Sequence, residues 1–201
     1  MQQINTNTDR WEEKANLVLS HFNYHQPDEI DIYDICWRYG VIIKPLDAHY
    51  FGSSVDYESI KHLKSYSIPK SVGKRGTIFI QPELDPIEKR MLLTEEFCHC
   101  YSHYSSQLMD DEYMRSKQEH QAKRMSAYLL MPSHFLNQLH LTAISEPLLI
   151  SDIADYFLVS EEFAHYRLHL IYQHRVDGFM QLKNRLGTLE LFDTNDERKL
   201  I

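Results

Sequence analysis

The sequence predicts an α+β protein that is mainly helical, with a small β-sheet and a C-terminal helical pair. Three observations carry this. Apolar residues recur at three- and four-residue spacing along most of the 201 residues, the mark of helices that bury one stripe. Two short β-branched and aromatic runs, Val41-Ile-Ile and Thr77-Ile-Phe-Ile, have the composition of strands. Leu148 to Phe157 and Glu161 to Tyr172 form two short helical patterns around Leu158-Val-Ser160, a helix-turn-helix outline at about 148–173.

Taken in order, Trp11 to Phe22 sets Ala15, Val18, Leu19 and Phe22 on one helical face. Pro27-Asp28 opens a second helical stretch, which Gly40 stops before the first strand at 41–43. From Phe51 to Arg75 the pattern weakens into a surface excursion punctuated by Gly52, Pro69 and Gly73, with a short helix within Tyr57 to Tyr66. The second strand, 77–80, is closed by Pro82 and can pair with the first. Asp85-Pro86 then starts a helix that runs to about His103, with Asp85 as cap, Pro86 in the first turn and Glu88 completing a capping box. A helix from about Tyr113 ends near Met131, because Pro132 disfavours the helical conformation before it. A short one follows from Pro132-Ser133 through Leu139, and Ser160 resembles the cap of the last. The chain divides into one domain, 1–175, and a more polar C-terminal extension, 176–201.

Composition narrows the function. A formal charge of −8 and a pI near 5.8 lack the basic footprint of a dedicated nucleic-acid binder, so direct nucleic-acid binding is not expected. The residues Asp152, Asp155, Glu161 and Glu162 would repel phosphate from the helical pair. No apolar run reaches the length of a membrane helix, and three cysteines, Cys36, Cys98 and Cys100, form no even framework. A cytoplasmic location, with no membrane partner, is the expectation.

Chemistry concentrates on the helix after Pro86. Glu95 and His99, four residues apart, share a face, and His103 continues it by one turn. Glu96 precedes His99 by three, the offset at which the carboxylate of a His-Glu-x-x-His helix acts as general base. On the next helix Glu119 shares a small apolar face with Ala122 and Ser126, where an unpaired carboxylate is costly unless neutralised. Such trios also arise on solvated helix faces, and His103 reads equally as an additional ligand or as a surface residue. Cys98 and Cys100 lack Cys-x-x-Cys spacing and read as core residues.

Gly76-Thr-Ile-Phe-Ile-Gln, Glu88-Lys-Arg-Met-Leu-Leu-Thr-Glu-Glu-Phe-Cys-His99 and Glu119-His-Gln-Ala-Lys-Arg-Met-Ser-Ala-Tyr-Leu-Leu-Met-Pro132, in this order and spacing, together resemble the ImmA/IrrE metallopeptidases. Members share a strand, a His-Glu-x-x-His helix and a later helix with Glu-x-x-Ala that ends in a hydrophobic residue and proline. One departure stands out, since Glu95 occupies the place of the usual first histidine.

The resemblance implies a zincin-like core that holds zinc, or manganese, through Glu95, His99 and Glu119, with His103 as a candidate extra ligand and Glu96 as general base. It further implies an endopeptidase of a phage or mobile element that cleaves its partner repressor, usually a helix-turn-helix DNA-binding protein. Because a second anionic ligand weakens a Lewis acid, a catalytically inactive relative that binds a repressor without cleaving it is the alternative. A DNA-binding regulator using the C-terminal helical pair is the third reading.

Overall fold

The computed structural model describes residues 9–50, 57–70, 73–103, 112–143 and 147–173. The proposed extension at 176–201 and its boundary at 175 lie outside these residues, as do 51–56 and 71–72 of the sequence excursion. Among the described residues the helices are α1 (Arg10–Leu19), α2 (Ile32–Tyr39), α3 (Tyr57–Ile60), α4 (Pro86–Ser102), α5 (Glu112–Leu130), α6 (Ser133–Ala143), α7 (Ile150–Phe157) and α8 (Glu161–Gln173). The strands are β1 (Val41–Pro45), β2 (Ser65–Pro69) and β3 (Gly76–Ile80). This is the mainly helical α+β architecture expected, and no described helix is long and apolar enough to cross a membrane.

The helix boundaries follow local chemistry. Asp31 accepts the Tyr33 amide at 2.8 Å to start α2, and Gly40 ends it with φ +67°, a conformation glycine adopts without strain. Asp85 accepts the Ile87 amide at 2.9 Å at the start of α4, and Ser160 accepts the Phe163 amide at 3.2 Å at the start of α8. The Glu88 side chain, expected in a capping box, instead pairs with Lys64 in the turn before β2. An ion pair to a neighbouring segment has replaced the local cap.

The sheet order is β1-β3-β2, with β1 parallel and β2 antiparallel to the central β3. The sequence did not reveal β2. Ser65-Tyr-Ser-Ile-Pro carries two serines and ends in proline, so it lacks the apolar run by which β1 and β3 are recognised, and the proline suits an edge strand. The short helix expected between 57 and 66 stops at Ile60. Strand alternation then divides β2. Tyr66 packs with Leu46, Ile60 and Phe79 in a small cluster on one face, while Ser65 and Ser67 sit opposite Ile80 and Ile78 in the register, on the face turned to α4.

Helix α4 runs through the main core. Leu93, Phe97 and Cys98 are fully buried, and Cys100 and Tyr101 nearly so, so its second half is enclosed almost all round. It lies close against the sheet at Gly76, where a Cβ would collide with Cys100 Sγ and the Ile68 carbonyl. On its other side α4 packs against α5, which in turn packs on α1 and α8. Buried polar contacts fasten this stack. Asp9 caps α1 through the Trp11 amide at 2.9 Å and also receives Arg124 Nε at 2.5 Å and the Tyr128 hydroxyl at 2.8 Å from α5. Arg167 of α8, about 1% exposed, donates to the Met131 carbonyl at 2.9 Å and the Ser133 hydroxyl at 3.0 Å and lies over the Tyr128 ring.

Two stability outcomes follow. Burial alone would raise the Asp9 pKa, but its hydrogen bonds and Arg124 outweigh burial and hold it below the ordinary value. A carboxyl lowered in the fold stabilises above its unfolded pKa, and that gain is lost as pH falls through the folded value. Asp9→Asn is therefore expected to lose about 1–3 kcal/mol at neutral pH in urea unfolding, with the gap from wild type closing below pH ~4. Leu158, in the α7–α8 turn, has φ +52°, which costs a non-glycine residue about 1 kcal/mol. Since the side chain is 38% exposed, Leu158→Gly is expected to leave the melting temperature unchanged or raise it.

Candidate metal centre

Helix α4 supplies Glu95, Glu96 and His99, and α5 brings Glu119 across from them. His99 is about 1% exposed and Glu96 about 7%, whereas the Glu119 side chain is 44% exposed. Glu119 thus stands at the rim of the buried stripe formed by Ala122, Met125, Ser126 and Leu129, not beneath it as the apolar face suggested. His99 Nε2 and Glu119 Oε2 are 3.5 Å apart. That is longer than a good hydrogen bond of about 2.7–3.2 Å and close to the roughly 3.4 Å that separates two ligands on a tetrahedral zinc with ~2.0–2.1 Å bonds.

The electrostatics are those of an anionic pocket. Burial pushes the Glu95 carboxyl up to about 7, with His99 working against the rise and the Glu119 and Glu96 charges adding to it. Burial likewise raises Glu96, opposed by His99 and by the hydroxyls of Ser67 and Ser65. His99 would be lowered by burial, but the facing Glu119 carboxylate and the charges of Glu96 and Glu95 raise it overall. Glu119 shows the complement: burial is outweighed by His99 and its pKa falls. Three carboxylates gathered around one imidazole leave an excess of negative charge in a poorly solvated place, which protons or a cation must offset.

The donors fit a divalent cation. Two carboxylates and an imidazole are a hard oxygen and nitrogen set suited to zinc or manganese. Among the described residues no three His, Cys, Asp or Glu side chains stand together as a finished metal cage. His103 ends α4 one turn past His99, on the side away from Glu95. Its ring centroid lies 5.4 Å from that of His99, and it hydrogen-bonds the Gln118 backbone. Burial, followed by the charges of His99 and Lys14, lowers its pKa to about 4, so it stays neutral across the physiological range. The three cysteines are buried free thiols. Burial raises the Cys36 thiol to about 12 and lifts Cys98 and Cys100 as well, which disfavours thiolate ligation.

Sequence spacing did not single out the partners of Glu96. Ser65 Oγ of β2 donates to Glu96 Oε1 at 2.8 Å, and buried Ser67 lies beside the same carboxylate. The legible signal was the Ser-x-Ser alternation, which puts both hydroxyls on one strand face once β2 is recognised as a strand. Lys123 and Tyr166 also border the site: the ammonium stands 5.1 Å from the Tyr166 ring centre, and both lie within electrostatic reach of Glu95. A groove of about 460 Å³ lies elsewhere, along α1, α5 and α8. Its lining includes Trp11, His120, Arg124 and His169 and none of the candidate ligands.

Comparison with known proteins identifies a family. A peptidase family described as IrrE N-terminal-like domain matches residues 48–169, a span that includes β2, β3, the whole of α4 and α5, and every candidate ligand. No curated protein and no solved structure matches the chain. With more than half its length matched, including the paired helices α4 and α5, the chain belongs to the IrrE N-terminal-like peptidase family.

Proposed function

We propose that the chain is a metal-dependent endopeptidase, that Glu95, His99 and Glu119 hold a zinc ion, with manganese as the alternative metal, and that Glu96 is the general base. The observation that carries this is the 3.5 Å separation of His99 Nε2 and Glu119 Oε2 beside the carboxylates of Glu95 and Glu96. A bound divalent ion would supply a Lewis acid for a peptide carbonyl and make a water molecule more acidic. Glu96 would take one proton from that water as its oxygen adds to the carbonyl carbon, then return the proton to the amide nitrogen as the carbon–nitrogen bond breaks. Two properties suit Glu96 to this. It is buried, which makes its carboxylate more basic, and its Oε2 has no hydrogen-bond partner among the described residues.

The substrate we propose is the helix-turn-helix repressor of the mobile element that carries the gene, in the cytoplasm. Support comes from the resemblance to the ImmA/IrrE metallopeptidases and from three free buried thiols, which suit a reducing compartment. The unit is taken as 1–175, with the remainder as an extension.

One observation favours a second reading. Glu95 brings an anionic ligand where the family resemblance places histidine, and a doubly anionic site acidifies water less effectively. On that reading the chain binds the repressor without cutting it.

N-terminal labelling mass spectrometry of cells expressing the wild type or Glu96→Gln separates the two. The peptidase predicts a new N-terminus in a repressor with the wild type that is absent with Glu96→Gln, although the variant still binds the metal. Intact repressor captured equally by both would establish the binder. Identical fragments from both would remove Glu96 from the mechanism.

A further inference from the structure

We propose that Ser65 is a positioning residue for Glu96: its hydroxyl pins Oε1 so that Oε2 is the oxygen that handles the proton. The inference rests on the peptidase reading and concerns a residue that lies on another element, 31 positions before Glu96.

The two oxygens of this carboxylate have different surroundings. Oε1 accepts the Ser65 hydroxyl at 2.8 Å, within the normal range for such a bond. Oε2 is buried and has no hydrogen-bond partner among the described residues; the Ser67 hydroxyl lies beside the carboxylate but forms no bond of normal geometry to it. With one oxygen tied, rotation about the last side-chain bond no longer exchanges the two, and a buried carboxylate with a wide, two-fold torsional preference becomes a directed group. The donor is also a neutral hydroxyl. A lysine or arginine in its place would form an ion pair and hold the carboxylate's electrons more firmly, making it a poorer base.

The fold supplies Ser65 through register. Ser65 pairs with Ile80 and Ser67 with Ile78, and both of those isoleucines belong to the core that encloses α4. Residues 65 and 67 therefore face α4, while Tyr66 turns to the opposite cluster. A one-residue slip of β2 would put Tyr66 against Glu96 and remove both hydroxyls. The edge strand thus has a duty beyond completing the sheet. Ser65 and Ser67 are polar side chains set opposite Ile80 and Ile78 of the hydrophobic core, so apolar packing does not explain a serine at 65.

The test has two parts on the full chain. In urea unfolding of the metal-free protein, Ser65→Ala is combined with Glu96→Ala. A direct bond makes the midpoint shifts non-additive, so that Ser65→Ala adds almost nothing once Glu96 is gone. In the metal-loaded protein, cleavage is followed on whichever protein gains a new N-terminus with the wild type and not with Glu96→Gln. Ser65→Ala is expected to lower kcat about tenfold, with KM changed less than about twofold, since a misplaced base weakens the transition state alone. Zinc content should be unchanged, and Ser65→Thr, which keeps the hydroxyl on a β-branched side chain, should restore most of the rate. Additive midpoint shifts, or full kcat in Ser65→Ala, would overturn the assignment while leaving the peptidase intact. A wild type that cleaves nothing would overturn the peptidase reading and the positioning role with it, even where the coupling in urea persists.

Discussion

Placing carboxylates on a helix that the rest of the protein uses as its core is the constraint on which this structure turns. Most residues in the second half of α4 are buried, among them Leu93, Phe97, Cys98 and Cys100, yet Glu95, Glu96 and His99 interrupt the same stretch. Charges in such a place cost several kcal/mol unless neutralised. The protein meets that cost locally: Glu119 faces His99, and Ser65 reaches Glu96. Burial still pushes the Glu95 carboxyl up to about 7, and a divalent cation is a neutralising group that fits oxygen and nitrogen donors.

Much of the surrounding fold serves to hold two helices in register at that point. Gly76 lets α4 approach the sheet so closely that no side chain fits between them, and this brings β2 within hydrogen-bonding reach of Glu96. On the other side α5 is fixed to α1 through Asp9, Arg124 and Tyr128, while Arg167 binds the carbonyl of Met131 just past the end of α5. The face of α8 that carries Phe163, Ala164, Arg167 and Leu170 is occupied in packing. The helix-turn-helix outline is therefore real as two helices joined through Leu158, and one face of its second helix is committed to this core.

The parts legible in the sequence were those written in periodicity and caps. Asp85-Pro86 and Gly40 mark helix boundaries that depend on neighbours a few residues away, and β3 shows its burial in a run of β-branched and aromatic residues. The four-residue spacing of Glu95 and His99 placed them on one helix face, because i and i+4 positions are fixed by helix geometry alone. The strand β2 was hidden because its α4-facing positions are serines, chosen by what they touch across the core. The Lys64–Glu88 pair was hidden for the same reason, since Glu88 has two legitimate uses and only tertiary structure chooses between them. The half-exposed position of Glu119 was also illegible, since periodicity gives the direction of a side chain and not the depth at which its helix turn meets solvent.

Glu95 is where the chemistry is most exposed to contradiction. As a ligand it would turn an unfavourable buried acid into part of a cation site, and the pairing of His99 with Glu119 would be one edge of the same polyhedron. As a mere remnant it would be a buried acid whose charge burial disfavours, leaving His99 and Glu119 as an ordinary ion pair. The most direct measurement is metal analysis of protein purified without chelator or affinity metal, comparing the wild type with Glu119→Ala. The account predicts about one equivalent of zinc or manganese in the wild type and its loss in the variant. Full occupancy in Glu119→Ala, or no metal in either protein, would contradict it.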